Sequence, residues 1–396
     1  MRTTLALHAL AACTSPTAEP TRAAAFAAAA DHYDVPEPWL LAIGYQQGRF
    51  EPAEQQDQAP ADAIDPADTL DTDTPVDEVE PSADDSSDPD ASPDVRSWGL
   101  MYLTDAQIAR AAELTGRDPD ELRTSTAANI EGAAALLADG GPDLRASTTA
   151  FLGVTDEAAD LALHDLDTVL CDGFDVTTDD GEHLTLAGTD PLRADIDESI
   201  ESDGPDLIER AGAYPSVQWI RSPNYSSRQG SPIRYIVIHD IEGTMPGAIS
   251  IFRSAASQVS AHYIVRSRDG HIVKMVHETD DAWHAGHGWF NRHSIGIEHE
   301  GFAHRKRGGG YYTDTLYEAS ARLSCAIAHR YNIPVDRKHI FGHLNVPSNL
   351  ASHTLCSDAR GIAGACGGVS HHTDPGRYWN WTKYMHLVAS CVRSAS

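Results

Sequence analysis

The chain has 396 residues, 41% of them hydrophobic, and a formal net charge of −30. That length exceeds one compact domain and points to two domains plus linkers. The acidity excludes a nucleic-acid partner, because a phosphate backbone is gripped through an excess of Lys and Arg. No run approaches the roughly 20 apolar residues of a membrane-spanning helix.

In chain order, Met1-Arg2 precedes an apolar run from Leu5 to Ala12 that ends Leu10-Ala-Ala-Cys13. This resembles a bacterial lipoprotein signal, with Cys13 becoming the lipid-bearing first residue and the rest of residues 1–20 a tether. It implies an exported protein of the cell envelope (outer membrane or periplasm, or secreted), touching the membrane only through a lipid anchor. Residues 21–140 read as a helical domain, with helices over Arg22–His32 and Pro36–Gln47, from Thr104, and over Ala127–Ala138. From Glu51 to Val95 there is no Lys or Arg. That Pro-, Asp-, Ser- and Ala-rich run buries too little apolar surface to offset chain entropy, so residues 51–95 are expected to be a disordered insert.

Residues 141–212 read as a connector. It holds a hairpin around Asp179-Asp180-Gly181, between Val176-Thr-Thr and Leu184-Thr-Leu, and an acidic stretch from about Asp190 to Ala211. Over residues 213–396 helices alternate with β-rich runs. Tyr235–His239, His262–Val265, Ile272–Val276 and Ile295–Glu298 are strand candidates. Pro246 opens a helix through about Ser257. Thr315-Leu-Tyr-Glu318 reads as a capping box before a helix bearing Leu316, Leu323 and Ile327. The alternation implies a central mixed sheet flanked by helices. Of six cysteines, Cys356 and Cys366 bracket a Gly-rich loop, Cys325 and Cys391 lie on predicted helices, and Cys171 is left over if Cys13 is lipidated. Disulfides suit an exported protein, and spacing does not fix their connectivity.

Three residues in the last region carry metal chemistry. His239 ends an apolar strand, His343 follows Ile340-Phe-Gly, and Asp374 lies in the turn-forming His371-His-Thr-Asp-Pro-Gly376. Two imidazoles and one carboxylate suffice to hold a catalytic zinc ion. Among 20 histidines such a triplet means little by itself. Its context is Tyr235-Ile-Val-Ile-His-Asp, Ser260-Ala-His-Tyr-Ile-Val with Asp269-Gly270, Ala282-Trp-His-Ala-Gly286, Asn291, Ser294-Ile-Gly-Ile-Glu-His-Glu-Gly301, Gly342-His343 and Thr373-Asp-Pro-Gly376.

With these landmarks, from about Arg234 to Met385, the chain resembles the type 2 N-acetylmuramoyl-L-alanine amidases, which include the peptidoglycan recognition proteins. The resemblance implies one Zn2+ on His239, His343 and Asp374, the last often Cys in relatives. It implies hydrolysis of the lactyl–L-alanine amide of peptidoglycan, with glycan strands and stem peptides as partners. Glu298 matches the catalytic acidic residue, and Glu300, on the same strand face, stands as the alternative. His372 stands where many relatives place an oxyanion-steadying Lys. His262, His284 and Asn291 match positions near the substrate groove, while His287, His293, His299 and His304 receive no role. Relatives that bind muropeptides without cutting them have lost a ligand, whereas all three ligand positions are filled here.

A second resemblance covers the first half. Trp39 to Phe50, Trp98-Gly-Leu-Met-Tyr-Leu103 and Ala127-Ala-Asn-Ile-Glu-Gly-Ala133 look like the lysozyme-like lytic transglycosylase domain. There a catalytic Glu ends the first core helix. Here Gln47 stands in its place, and a carboxamide cannot protonate a glycosidic oxygen. The expectation is a degenerate, glycan-binding helical domain joined to an α/β amidase domain.

Overall fold

The computed structural model describes residues 19–53, 97–189, 215–356 and 372–395. The expected signal with Cys13, most of the expected acidic insert, the stretch from Asp190 to Ala211, Cys366 and His371 lie outside the described residues.

The first region is helical: α1 (Arg22–Tyr33), α2 (Glu37–Gly48), the short pair β1 (Ser97–Trp98) and β2 (Leu103–Thr104), α3 (Asp105–Thr115), α4 (Pro119–Thr124) and α5 (Thr126–Asp139). Local chemistry sets the helix starts. The Thr21, Thr104 and Ser125 hydroxyls accept from Ala24, Gln107 and Ala128 N–H groups, satisfying donors that the first turn leaves unpaired. Small residues let α1 lie close to α5 around Phe26, Leu40, Ile43, Phe50, Met101 and Ile130. Asn129, fully buried in α5, accepts from Met101 N–H (2.7 Å) and donates to the Trp98 and Leu122 carbonyls. A landmark of the transglycosylase resemblance is thus a polar peg holding the 98–101 turn.

The segment expected as a connector holds α6 (Leu144–Leu152), α7 (Asp156–Asp172) and the hairpin β3 (Gly173–Thr177) with β4 (His183–Ala187). The hairpin lies where its turn residues put it. The helices do not show in composition, because α7 carries Asp156, Glu157, Asp160, Asp167 and Asp172 on its outer face and ends, and a sixth acid, Asp165, among its buried residues. Its inner face repeats at helical spacing, Ala158, Leu161, Ala162 and Leu166, and is buried.

The second region comprises β5 (Gln218–Trp219), β6 (Tyr225–Ser227), β7 (Tyr235–Ile238), α8 (Met245–Arg253), β8 (Tyr263–Val265), β9 (Ile272–Lys274), β10 (Asp280–Ala282), α9 (Gly288–His293), β11 (Ser294–His299), α10 (Asp314–Tyr331), β12 (Ile340–Gly342) and α11 (Trp381–Ala395). Six strands form one mixed sheet in the order β12-β7-β11-β8-β9-β5, antiparallel only between β8 and β9. Alternation along the strands splits the core. Ile236, Ile238, Ile295 and Ile297 face α10 and α11, while Val237, Ile264 and Val273 face α8 and α9. α10 is capped by the Thr313 hydroxyl on Leu316 N–H, two residues earlier than the Thr315 expected from sequence. A disulfide joins Cys325 to Cys391, while Cys171 is free and exposed.

The two regions are packed together. Val154, Leu161 and Ala162 bury against Ile249, Phe252, Ile264 and Met275. Beside them Arg266 and Asp165 form a buried ion pair at 2.9 Å. At the end of α2, Tyr311 donates to the Gln46 carbonyl (2.8 Å) and Arg305 to the Gly48 and Pro52 carbonyls.

Candidate metal centre

Three neighbouring strands deliver the site. Ile238 is level with Ile297 on one side and Gly342 on the other. The next residues, His239, Glu298 and His343, therefore stand abreast at the carboxyl ends of parallel strands, where open α/β sheets leave room for ligands. Asp374 arrives from far along the chain. Its carbonyl accepts from Leu344 N–H at 2.9 Å. The following Gly376 has φ +83°, and a Cβ there would collide with the Ala303 carbonyl, so only glycine fits. The Tyr312 hydroxyl lies 2.7 Å from both Asp240 Oδ2 and the Pro375 carbonyl, tying the end of β7 to this turn.

The Asp374 oxygens lie 3.0 Å from His239 Nδ1 and 3.1 Å from His343 Nδ1. Ligand atoms of all three residues fall within 4.8 Å of one another. His372 stacks on His343, ring centroids 3.5 Å apart and 17° from parallel. Burial would raise Asp374, but the two imidazoles beside it, His343 foremost, hold its carboxyl well below the usual range. Burial and then His343 push His239 down to about 4. Burial, and then Asp374, push Glu298 well above the carboxylate range.

These residues fit a divalent cation. The Glu298 Oε2 atom is buried with no hydrogen-bond partner, an expensive arrangement unless positive charge is brought beside it. Two imidazole nitrogens and one carboxylate oxygen are the borderline donors zinc prefers, a set that leaves one position open. Glu300 is differently employed. Its two oxygens accept from Met245 N–H (2.7 Å) and Ser267 N–H (2.8 Å), capping α8. Burial pushes it up to about 7.

His262, His284 and Asn291, expected near a substrate groove, lie behind the ligands. His262 is fully buried and its Nδ1 accepts from Gly296 N–H at 3.1 Å. The Asn291 oxygen accepts from the His284 and Ala285 N–H groups at 3.1 and 2.7 Å. The His284 Nδ1 lies 3.0 Å from His239 Nε2. They lie close to the ligands, and hydrogen bonds inside the wall absorb their polar groups. The histidines given no role also bond locally: His293 to Trp289, His299 to the His239 carbonyl and Ser320, and His287 to the Ser352 carbonyl. Sequence reading passed over Ser294, Gly296 and Tyr312. Gly296 could have been found, since glycine inside a β-run marks a close approach. Tyr312, in Gly308-Gly-Gly-Tyr-Tyr312, has no such signal.

A mixed sheet bringing two imidazoles, a ligand carboxylate and a second, unsatisfied carboxylate to one buried point defines a metal-dependent hydrolase. Residues 229–377 match the profile of the family described as N-acetylmuramoyl-L-alanine amidase (Amidase_2). The chain is 33% identical over 168 residues to N-acetylmuramoyl-L-alanine amidase A of Achromobacter lyticus, covering 42% of this chain and 89% of that protein. It is 30% identical over 202 residues to the 1,6-anhydro-N-acetylmuramyl-L-alanine amidase AmpD of Haemophilus influenzae, covering 45% of this chain and 95% of that one. A crystal structure of an AmpD derivative aligns at 26% identity over 45% of this chain and 97% of its own, with a TM-score of 0.34. The chain belongs to the N-acetylmuramoyl-L-alanine amidase family through the region that carries the metal centre.

Proposed function

We propose that this protein hydrolyses the amide between the muramic acid lactyl group and L-alanine in peptidoglycan, with zinc held by His239, His343 and Asp374. The observation that carries the reading is the meeting of these three ligands beside Glu298. When bound, the ion supplies Lewis-acid chemistry, polarising a carbonyl and acidifying water. Glu298 then takes the proton from the attacking water and hands it to the leaving alanine nitrogen, as its elevated proton affinity suits. His372, stacked on His343, offers an N–H to the oxygen on which negative charge develops. His262, His284 and Asn291 support the wall behind the ligands rather than touching substrate. Digesting purified muropeptides with and without chelator, read by mass spectrometry, tests the proposal. Release of the intact stem peptide only in the chelator-free sample supports it, and chelator-insensitive or absent release refutes it.

We extend the reading to the rest of the chain. The helical region is a lysozyme-like, transglycosylase-related unit that holds glycan strands without cutting them, because Gln47 replaces the acid. Formation of 1,6-anhydromuramic products by the full chain after amidase inactivation would refute this. Cys13 carries a lipid that anchors the exported protein to the cell envelope, on the strength of Leu10-Ala-Ala-Cys13. An unchanged membrane fraction for Cys13→Ser would count against it. The working division is signal and tether over 1–20, helical unit over 21–140, connecting segment over 141–212 and amidase over 213–396.

A further inference from the structure

A chain of hydrogen bonds runs from His239 away from the metal centre and ends at a carbonyl. The Ser294 hydroxyl donates to the Phe290 carbonyl at 2.6 Å. It has only one hydrogen, so towards His284 Nε2, 3.1 Å away, it can only accept. His284 Nε2 must therefore carry a proton. The buried ring's two nitrogens face only a hydroxyl and an imidazole, so a charge here would be unpaired; the ring is a neutral imidazole and its Nδ1 is a bare acceptor. His239 Nε2, 3.0 Å from that acceptor, is the donor. A neutral imidazole protonated at Nε2 presents its lone pair at Nδ1, and His239 Nδ1 is the atom facing Asp374.

The surroundings are built to keep this chain in place. The His284 ring lies over Gly296 in the middle of β11, so closely that a Cβ at that position would run into the imidazole. The backbone N–H of His284 is held by Asn291, whose oxygen also takes that of Ala285. His284, Asn291, Ser294 and Gly296 are thereby one device acting on one ring.

We propose that His284 and Ser294 are positioning residues that fix the tautomer and orientation of His239, keeping its Nδ1 lone pair turned to the metal. This rests on the metal-dependent reading above. Such partners behind a ligand histidine are typically worth about 10–100-fold in metal affinity.

The test is zinc affinity of the full chain, measured by chelator competition on metal-free protein, with no turnover required. His284→Leu is expected to weaken zinc about 10–100-fold. His284→Asn places its amide oxygen where Nδ1 stood and is expected to recover most of that loss, although it packs less well than Leu. A packing role would reverse that order. Ser294→Ala frees His284 to take either tautomer and is expected to weaken zinc measurably, with nitrogen NMR of the metal-free protein showing His239 in mixed tautomers. Equal affinity for wild type and His284→Leu, or Asn no better than Leu, overturns the proposal. Should the Leu variant not fold, unchanged affinity and unchanged His239 ring signals in Ser294→Ala overturn it. Absence of zinc binding by the wild type would remove the metal reading itself, and this proposal with it.

Discussion

Replacing Glu298 by Gln separates chemistry from structure at the proposed centre. The side chains are nearly isosteric, and one Glu298 oxygen is buried without any hydrogen-bond partner, so the carboxamide disrupts no bond at that atom. What is lost is proton transfer. General-base removal typically costs about 10²–10⁴-fold in rate, equivalent to about 2.7–5.4 kcal/mol of transition-state stabilisation. Stability should move the other way. Burial and then Asp374 raise the folded-state pKa of Glu298, so its favourable contribution is full at low pH and fades as pH rises through that raised value. Gln cannot ionise and escapes this loss. Metal-free Glu298→Gln should therefore melt at or above wild type at pH 8, with the difference shrinking toward pH 4. The assay pairs zinc-replete turnover on a defined muropeptide with metal-free melting curves. Turnover within about threefold of wild type, at normal zinc content, would refute the assignment of Glu298 as base.

Asp374→Ala removes the carboxylate shared by both imidazoles and should leave the purified protein without stoichiometric zinc by elemental analysis. His372→Ala should retain zinc but slow turnover about 10²–10³-fold, as loss of an oxyanion donor does, while loss of zinc would make His372 a ligand instead. Glu300 has a folded pKa raised by burial to about 7, so its stability contribution is fully present below about pH 4.5 and is lost as pH rises through 7. Glu300→Gln should flatten that part of the melting-temperature profile of metal-free protein. Cys325→Ser opens a link spanning 66 residues and should cost up to about 4 kcal/mol in denaturant unfolding.

What was legible in the sequence tracks how locally each feature is specified. Strands such as Tyr235–Ile238 are buried on both faces and read as unbroken apolar runs, so they stand out. Helices with side-chain caps and alanine-rich faces were equally plain. α7 was not, because six acidic residues mask an apolar stripe whose purpose emerges only against α8. The ligand set was legible because motif order supplied it, but which polar neighbours face the ion and which face the wall was not. That depends on strand register. His262 and His284 sit in motifs beside the site, yet one bonds the backbone of Gly296 and the other the back of His239. No spacing rule distinguishes those positions from a groove.

The segment between Gly301 and Thr313 shows how far the metal centre extends beyond its ligands. On one side Ala303 fills the space beside Gly376, and Tyr312 reaches both Asp240 and Pro375, so the segment backs the turn presenting Asp374. On the other side Tyr311 and Arg305 hold the end of α2, and the Arg49 guanidinium lies 4.6 Å above the Tyr311 ring. Tyr311 and Tyr312 are consecutive, so the helical region and the Asp374 turn grip adjacent residues. Close-packed interiors transmit such displacements rather than absorbing them. The end of α2, beside Gln47, is thus taken up by contact with the amidase region.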